Sequence, residues 1–236
     1  MKKQIPNIIT LLNLFSGCIA IVMAFNENFL GVVIWVTLAA VFDFLDGLAA
    51  RALGVSSKIG IELDSLADVV SFGVAPASAV FILLQDFTLF PAFLLPLETL
   101  IPYLAFLIPV FSAYRLAKFN IDIRQTSTFL GLPTPANGLF WVTYVYGINL
   151  LSSVNESYVY MTIGFILVLS LLMVSEIPMF SLKIKNLKLR GNEKQLLLIV
   201  LMITFALLWG IIGVAWGILA YVVISIITSG KRKIIR

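Results

Sequence analysis

Charge is what this sequence has least of. Of 236 residues only 12% are Asp, Glu, Lys or Arg, whereas 61% are hydrophobic and the mean hydropathy is +1.06. That balance lies outside the range of a soluble globular domain, and almost no chain is left to build one. The single cysteine, Cys18, excludes an intrachain disulfide and any Cys-based metal site; placed in an apolar run, it is expected as a small core residue. Internal repeats and low-complexity segments are missing too. A net charge of +4 and a pI near 9.2 point away from nucleic acid, because the basic residues are scattered through short loops with no basic domain to present them.

What the chain has is apolar runs. Eight are legible, at 7–25, 30–51, 59–84, 99–119, 134–152, 158–178, 195–210 and 211–229, each near the roughly 20 residues that cross a bilayer. They lack the alternation of barrel strands, and lipid offers backbone amides no partner, so the runs predict helices. The fold class is therefore all-α, a polytopic bundle of about eight spans. The stretch between Lys194 and Lys231 would reach about 54 Å as one helix, too long for one crossing, so a tight hairpin is expected near Gly210–Gly213. Lys2 and Lys3 precede the first run as in a signal peptide, but with no small-residue cleavage pattern the run predicts a retained helix.

On this map all sixteen basic residues fall on one side: Lys2 and Lys3, Arg51 and Lys58, Arg115, Lys118 and Arg124, five from Lys183 to Lys194, and four from Lys231 to Arg236. The opposite loops hold only Glu27, Asp86, Glu98 and Glu156. Positive charge collects in cytoplasmic loops during insertion, which places both termini in the cytoplasm and the protein in the cytoplasmic (inner) membrane. Lys183–Lys194 and the basic tail also suit anionic membrane-lipid headgroups.

Five of the twelve acidic residues lie between Asp43 and Asp68, at the cytoplasmic ends of the second and third spans. A charge inside a membrane helix costs about 2.5–3.5 kcal/mol on insertion scales, so such residues mark function or a partner. Asp43, Asp46, Gly47 and Ala50 share one face of the second helix, and Gly60, Asp64 and Asp68 form a stripe on the third. The short connection makes the helices antiparallel neighbours, bringing four carboxylates together. Divalent cations relieve that repulsion, and hard oxygen ligands select Mg²⁺ or Mn²⁺; two ions would cancel four carboxylates, which predicts a two-metal clamp for phosphate or diphosphate. Gly47, Ala50 and Gly60 either leave room for a ligand or serve close helix packing.

Written out, the segment is Asp43-x2-Asp46-Gly47-x2-Ala50-Arg51-x8-Gly60-x3-Asp64-x3-Asp68. Every position matches the signature of the CDP-alcohol phosphatidyltransferases, which this chain resembles. The resemblance implies metal ligation by Asp43, Asp46, Asp64 and Asp68, with Asp68 also the base that deprotonates the attacking alcohol. It implies contacts to a CDP-lipid from Gly47, Ala50, Arg51, Ser57 and Gly60; Arg51 suits a diphosphate by its bidentate geometry. Pro6-Asn7-x2-Thr10 is similar to the family pattern at the start of the first helix, which gives Asn7 either a nucleotide contact or an ordinary helix beginning.

Three further blocks, Asp64–Pro76, Arg115–Asn120 and Gly131–Ala136, resemble bacterial phosphatidylserine synthases. The substrates implied are CDP-diacylglycerol and serine. A serine acceptor needs a cation for its carboxylate, and Arg115, Lys118 and Arg124, with Asn120, are the acceptor-binding candidates; the three basic residues serve equally as charge flanking a span. Pro133 and Pro135 start the fifth span or shape a pocket rim, and Glu176 is either a helix-end ion-pair partner or a minor pocket residue. Residues 1–153 form the expected catalytic core and 154–236 additional helices of the same membrane domain. Members of the family are often homodimers, which makes a homodimer the expectation here. The competing readings are another acceptor (glycerol phosphate, inositol phosphate or choline) or a different lipid donor, and a cation transporter, which leaves the fixed Gly and Arg offsets unexplained.

Overall fold

The computed structural model describes residues 4–55, 57–87, 93–121, 129–151, 155–180 and 193–233. Besides a single 3-10 turn at Leu95–Leu97, the chain forms eight longer helical stretches among them. These are α1 (Gln4–Phe25), α2 (Phe29–Leu53), α3 (Lys58–Gln85), α4 (Ile101–Ile121), α5 (Thr134–Asn149), α6 (Glu156–Val174), α7 (Glu193–Trp209) and α8 (Ile212–Lys233). Five of them, α1, α2, α3, α4 and α6, are long and apolar enough to cross a membrane, while Gln195–Trp209 and Ile212–Thr228 are shorter apolar helices. The protein is an all-α, polytopic membrane bundle.

Local chemistry sets the helix ends. Asn28 accepts from the Gly31 amide at 2.9 Å to open α2, and Ser57 accepts from the Gly60 amide at 3.0 Å to open α3. Between α7 and α8 the expected hairpin is present, with Gly210 in the left-handed region at φ 62°.

Burial runs opposite to that of a soluble helix. The buried face of α1 is Pro6, Thr10, Asn13, Ser16, Gly17, Ala20 and Ala24, while Ile8, Leu11, Phe15 and Val22 point outward. Small and polar residues therefore make the helix contacts, and large apolar ones face the space that lipid would fill. Cys18 corrects the expectation of a core position: it is exposed. Hydrophobicity cannot sort inside from outside when the surroundings are as apolar as the core. Shortest and most enclosed of the eight is α5, whose Phe140, Trp141 and Val145 are wholly buried. It packs against α2, α3 and α8.

Three features depart from the sequence reading. Within α3 the α-helical segments Lys58–Asp68 and Ala75–Gln85 are joined by a π-helical turn, Val69–Val74. A Cβ on Gly138 of α5 would lie 2.9 Å from the Cα of Phe72, so this turn and α5 touch backbone to backbone. The sixth helix ends at Val174, short of the expected 178, because Pro178 disfavours helix at the residue before it and the chain turns extended at Ser175. Finally, Phe129–Leu130 (β1) pairs antiparallel with Pro178–Met179 (β2), a two-strand clip in an otherwise helical chain. The Gly131 amide adds a bond to the Ile177 carbonyl at 2.9 Å. The clip ties the start of α5 to the end of α6. The expected boundary at 153/154, Arg124, and Lys183, Lys185, Lys188 and Arg190 lie outside the described residues.

Candidate active site

Helices α1, α2 and α3 meet at one end of the bundle, where each contributes its polar face. Asp43, Asp64 and Asp68 each present a carboxylate oxygen, and these oxygens all lie within 4.8 Å of one another. The side chains of Asp43 and Asp64 are within hydrogen-bond reach of each other. A divalent cation would relieve such crowding of like charge in a half-buried setting. The donor set fits a hard divalent cation, since it is all carboxylate oxygen, and one oxygen of Asp64 is buried without a hydrogen-bond partner. Asp46 stands apart from this trio. It is buried, and its Oδ2 accepts a bond of 2.6 Å from the Thr10 hydroxyl.

A cavity of about 160 Å³ opens beside the carboxylates, lined by Pro6, Asn7, Thr10, Asp46, Gly47, Ala50, Val55, Ser57, Gly60, Ile61 and Asp64. Five of the six residues expected to hold a CDP-lipid, Asn7, Gly47, Ala50, Ser57 and Gly60, are on its wall. The sixth, Arg51, is exposed, and its guanidinium lies 3.3 Å from where a Cβ on Gly47 would stand. A Cβ on Gly60 would come within 2.9 Å of the Ser57 hydroxyl and 3.0 Å of the Asn7 side-chain oxygen. Its hydrogen therefore keeps that corner of the cavity open.

The residues named as acceptor contacts divide. Arg115 is buried, donates to the Thr134 hydroxyl at 3.0 Å, and has Asp68 and Tyr221 as electrostatic neighbours; its Nε has no hydrogen-bond partner among the described residues, which leaves a donor able to meet an anion. Lys118 forms an ion pair of 3.6 Å with Glu176, in line with the helix-end partner expected of it. Asn120 is exposed and donates to Ser65 at 2.9 Å, joining α4 to α3.

Sequence reasoning missed Asn13, whose Nδ2 donates to Asp68 Oδ1 at 3.3 Å. The signal was available: Pro6, Thr10 and Asn13 follow the i, i+4, i+7 spacing of one helix face, and an amide inside an apolar span needs a reason. It also missed Thr134, which orients Arg115, and Tyr221, which α8 brings beside Arg115 while its hydroxyl donates to the Phe180 carbonyl at 3.1 Å.

With this geometry in hand, comparison with known proteins becomes informative. The CDP-alcohol phosphatidyltransferase family model matches residues 3–227. The chain belongs to that family. Among similar curated proteins is the CDP-diacylglycerol–serine O-phosphatidyltransferase of Helicobacter pylori strain J99, 33% identical over 202 residues, covering 84% of this chain and 79% of the relative. The enzyme of that name from Methanocaldococcus jannaschii is 36% identical over 174 residues, 73% of this chain and 72% of the relative. That of Bacillus subtilis is 34% identical over 151 residues, 62% and 78% respectively.

Proposed function

We infer that this member of the family transfers the phosphatidyl group of CDP-diacylglycerol to L-serine, releasing CMP, as a step of phospholipid biosynthesis. The observation that carries the reading is the meeting of Asp43, Asp64 and Asp68 beside the motif-lined cavity, with the buried Arg115 next to Asp68. Relatives of this name match over more than two thirds of both chains in three cases.

In this mechanism the diacylglycerol chains stay in lipid while Asn7, Gly47, Ala50, Ser57 and Gly60 hold the nucleotide end and Arg51 contacts the diphosphate. Asp68 accepts the proton of the serine hydroxyl, whose oxygen forms a bond to the phosphorus carrying the diacylglycerol. The bond from that phosphorus to the bridging oxygen breaks, and CMP departs with the electron pair. Two Mg²⁺ or Mn²⁺ ions held by Asp43, Asp46, Asp64 and Asp68 would supply the positive charge that stabilises the attacking and leaving oxygens. Arg115 receives the serine carboxylate, with Lys118, Asn120 and Arg124 as the outer part of the acceptor entrance. Most of the rate enhancement then comes from positioning and electrostatics.

The same reading has eight spans with both termini in the cytoplasm, the site at the cytoplasmic face, where serine and the nucleotide arrive from water, and a catalytic core at 1–153 completed by the helices of 154–236. A homodimer belongs to it as well. The test is CMP release from CDP-diacylglycerol by the purified protein in detergent, with Mg²⁺ or Mn²⁺ and with serine, glycerol 3-phosphate, inositol phosphate or choline offered separately. Release that depends on serine and falls about 10²- to 10⁴-fold in Asp68→Asn is expected. Release driven by another alcohol overturns the acceptor, and none with any acceptor overturns the enzyme.

A further inference from the structure

We propose that Asn13 is a specificity-determining residue of the acceptor site, its side-chain oxygen receiving the ammonium group of the amino-acid acceptor. The inference rests on the serine reading above and adds a residue and a contact to it. Asn13 sits midway along α1 with its side chain wholly buried. Its Nδ2 donates to Asp68 Oδ1 at 3.3 Å. With its NH₂ turned toward Asp68, the amide keeps its side-chain oxygen as the one atom left to accept. That oxygen has no hydrogen-bond donor among the described residues.

An unpaired buried carbonyl is costly, and proteins seldom keep one without a use. Its backbone is fixed from the other side, since the Ser71 hydroxyl in the π-helical turn of α3 donates to the Asn13 carbonyl at 3.0 Å. Asn13 is therefore held between the base-bearing residue and the turn that follows it, with one acceptor atom to spare.

Three groups around Asp68 then match the three groups of serine. The Asp68 carboxylate would take the hydroxyl, the Arg115 guanidinium, whose Nε has no hydrogen-bond partner among the described residues, would take the carboxylate, and Asn13 Oδ1 the ammonium. An acceptor such as glycerol phosphate or inositol phosphate has no ammonium to offer and leaves that oxygen unsatisfied, which favours amino acids by exclusion as well as by attraction.

Two variants of the full chain, assayed by metal-dependent CMP release, separate this role from a structural one. Asn13→Leu loses both the donor and the acceptor atom and is expected to raise the KM for L-serine about 10- to 100-fold, the loss of one hydrogen bond to a charged group, with the KM for CDP-diacylglycerol unchanged. Asn13→Asp keeps an oxygen for the ammonium but loses the bond to Asp68; its serine KM stays near that of the unaltered protein while kcat falls. KM does not depend on the folded fraction, and Asn13→Asp alone decides the matter if the leucine variant does not fold. A raised serine KM in Asn13→Asp, or a fall in kcat alone in Asn13→Leu, overturns the assignment of Asn13 and leaves the serine reading intact. No serine-dependent release from the unaltered protein overturns both.

Discussion

Removing a catalytic-site carboxylate should stabilise this protein when no metal is present. Asp43, Asp64 and Asp68 bring oxygens within 4.8 Å of one another, and two unit charges at that separation repel by about 3 kcal/mol at an effective dielectric near 20. Access of water and sharing of protons reduce the net effect to about 1–3 kcal/mol for Asp43→Asn. The amide is close to isosteric and can donate to Asp64, so repulsion is replaced by a hydrogen bond. For a chain of this size each kcal/mol moves the melting temperature by about 2–4 °C, which predicts a rise of about 3–10 °C for the variant in detergent with EDTA. With Mg²⁺ that advantage should shrink or reverse: at a hundred times Kd the ion adds about 2.7 kcal/mol to the unaltered protein, and the variant gains far less. Thermal unfolding of both proteins, each with EDTA and with Mg²⁺, is the assay. A variant that melts lower in EDTA, or that Mg²⁺ stabilises as much as the unaltered protein, refutes the cluster as a strained cation site.

Thr10→Val removes the donor to Asp46 Oδ2 while keeping the side-chain shape; kcat/KM for CDP-diacylglycerol should fall about 10- to 100-fold, as for other partners that orient a ligand, and titration with Mg²⁺ should show weaker apparent affinity. Gly138→Ala puts a methyl 2.9 Å from the Cα of Phe72, and the overpacking should cost about 1–3 kcal/mol, read as a lower melting temperature at full Mg²⁺.

Much of this was legible from the chain itself, for a physical reason. Each apolar run had to become a helix because lipid satisfies no backbone group, so the expected runs and the hairpin at Gly210 coincide with helices α1–α8 with small shifts at the ends, five of them long and apolar enough to cross a membrane. The aspartates were legible because charge inside apolar runs is too costly to be incidental. What stayed hidden depends on contacts between helices. Nothing local in Val69–Val74 distinguishes a π turn from an α turn; Ser71 meeting Asn13 and Phe72 meeting Gly138 are long-range facts. The pairing of Phe129–Leu130 with Pro178–Met179 joins segments nearly fifty residues apart. Cys18 was expected in the core because it is small and lies in an apolar run, yet it is exposed, and the ion pair of Lys118 with Glu176 joins segments far apart in the chain.

The polar contacts that shape the site are also contacts that join helices. Thr10 to Asp46 links α1 with α2, Asn13 to Asp68 links α1 with α3, Asn120 to Ser65 links α4 with α3, and Arg115 to Thr134 links α4 with α5. In a bilayer the association of helices gains little from hydrophobicity, because lipid tails are as apolar as leucine, and depends on close packing and on bonds of this kind. The residues that position the chemistry are thus part of what assembles the bundle. A substitution such as Thr10→Val therefore acts on helix association and on the carboxylates together, whereas exposed Ile8 or Phe15 on the same helix touches neither.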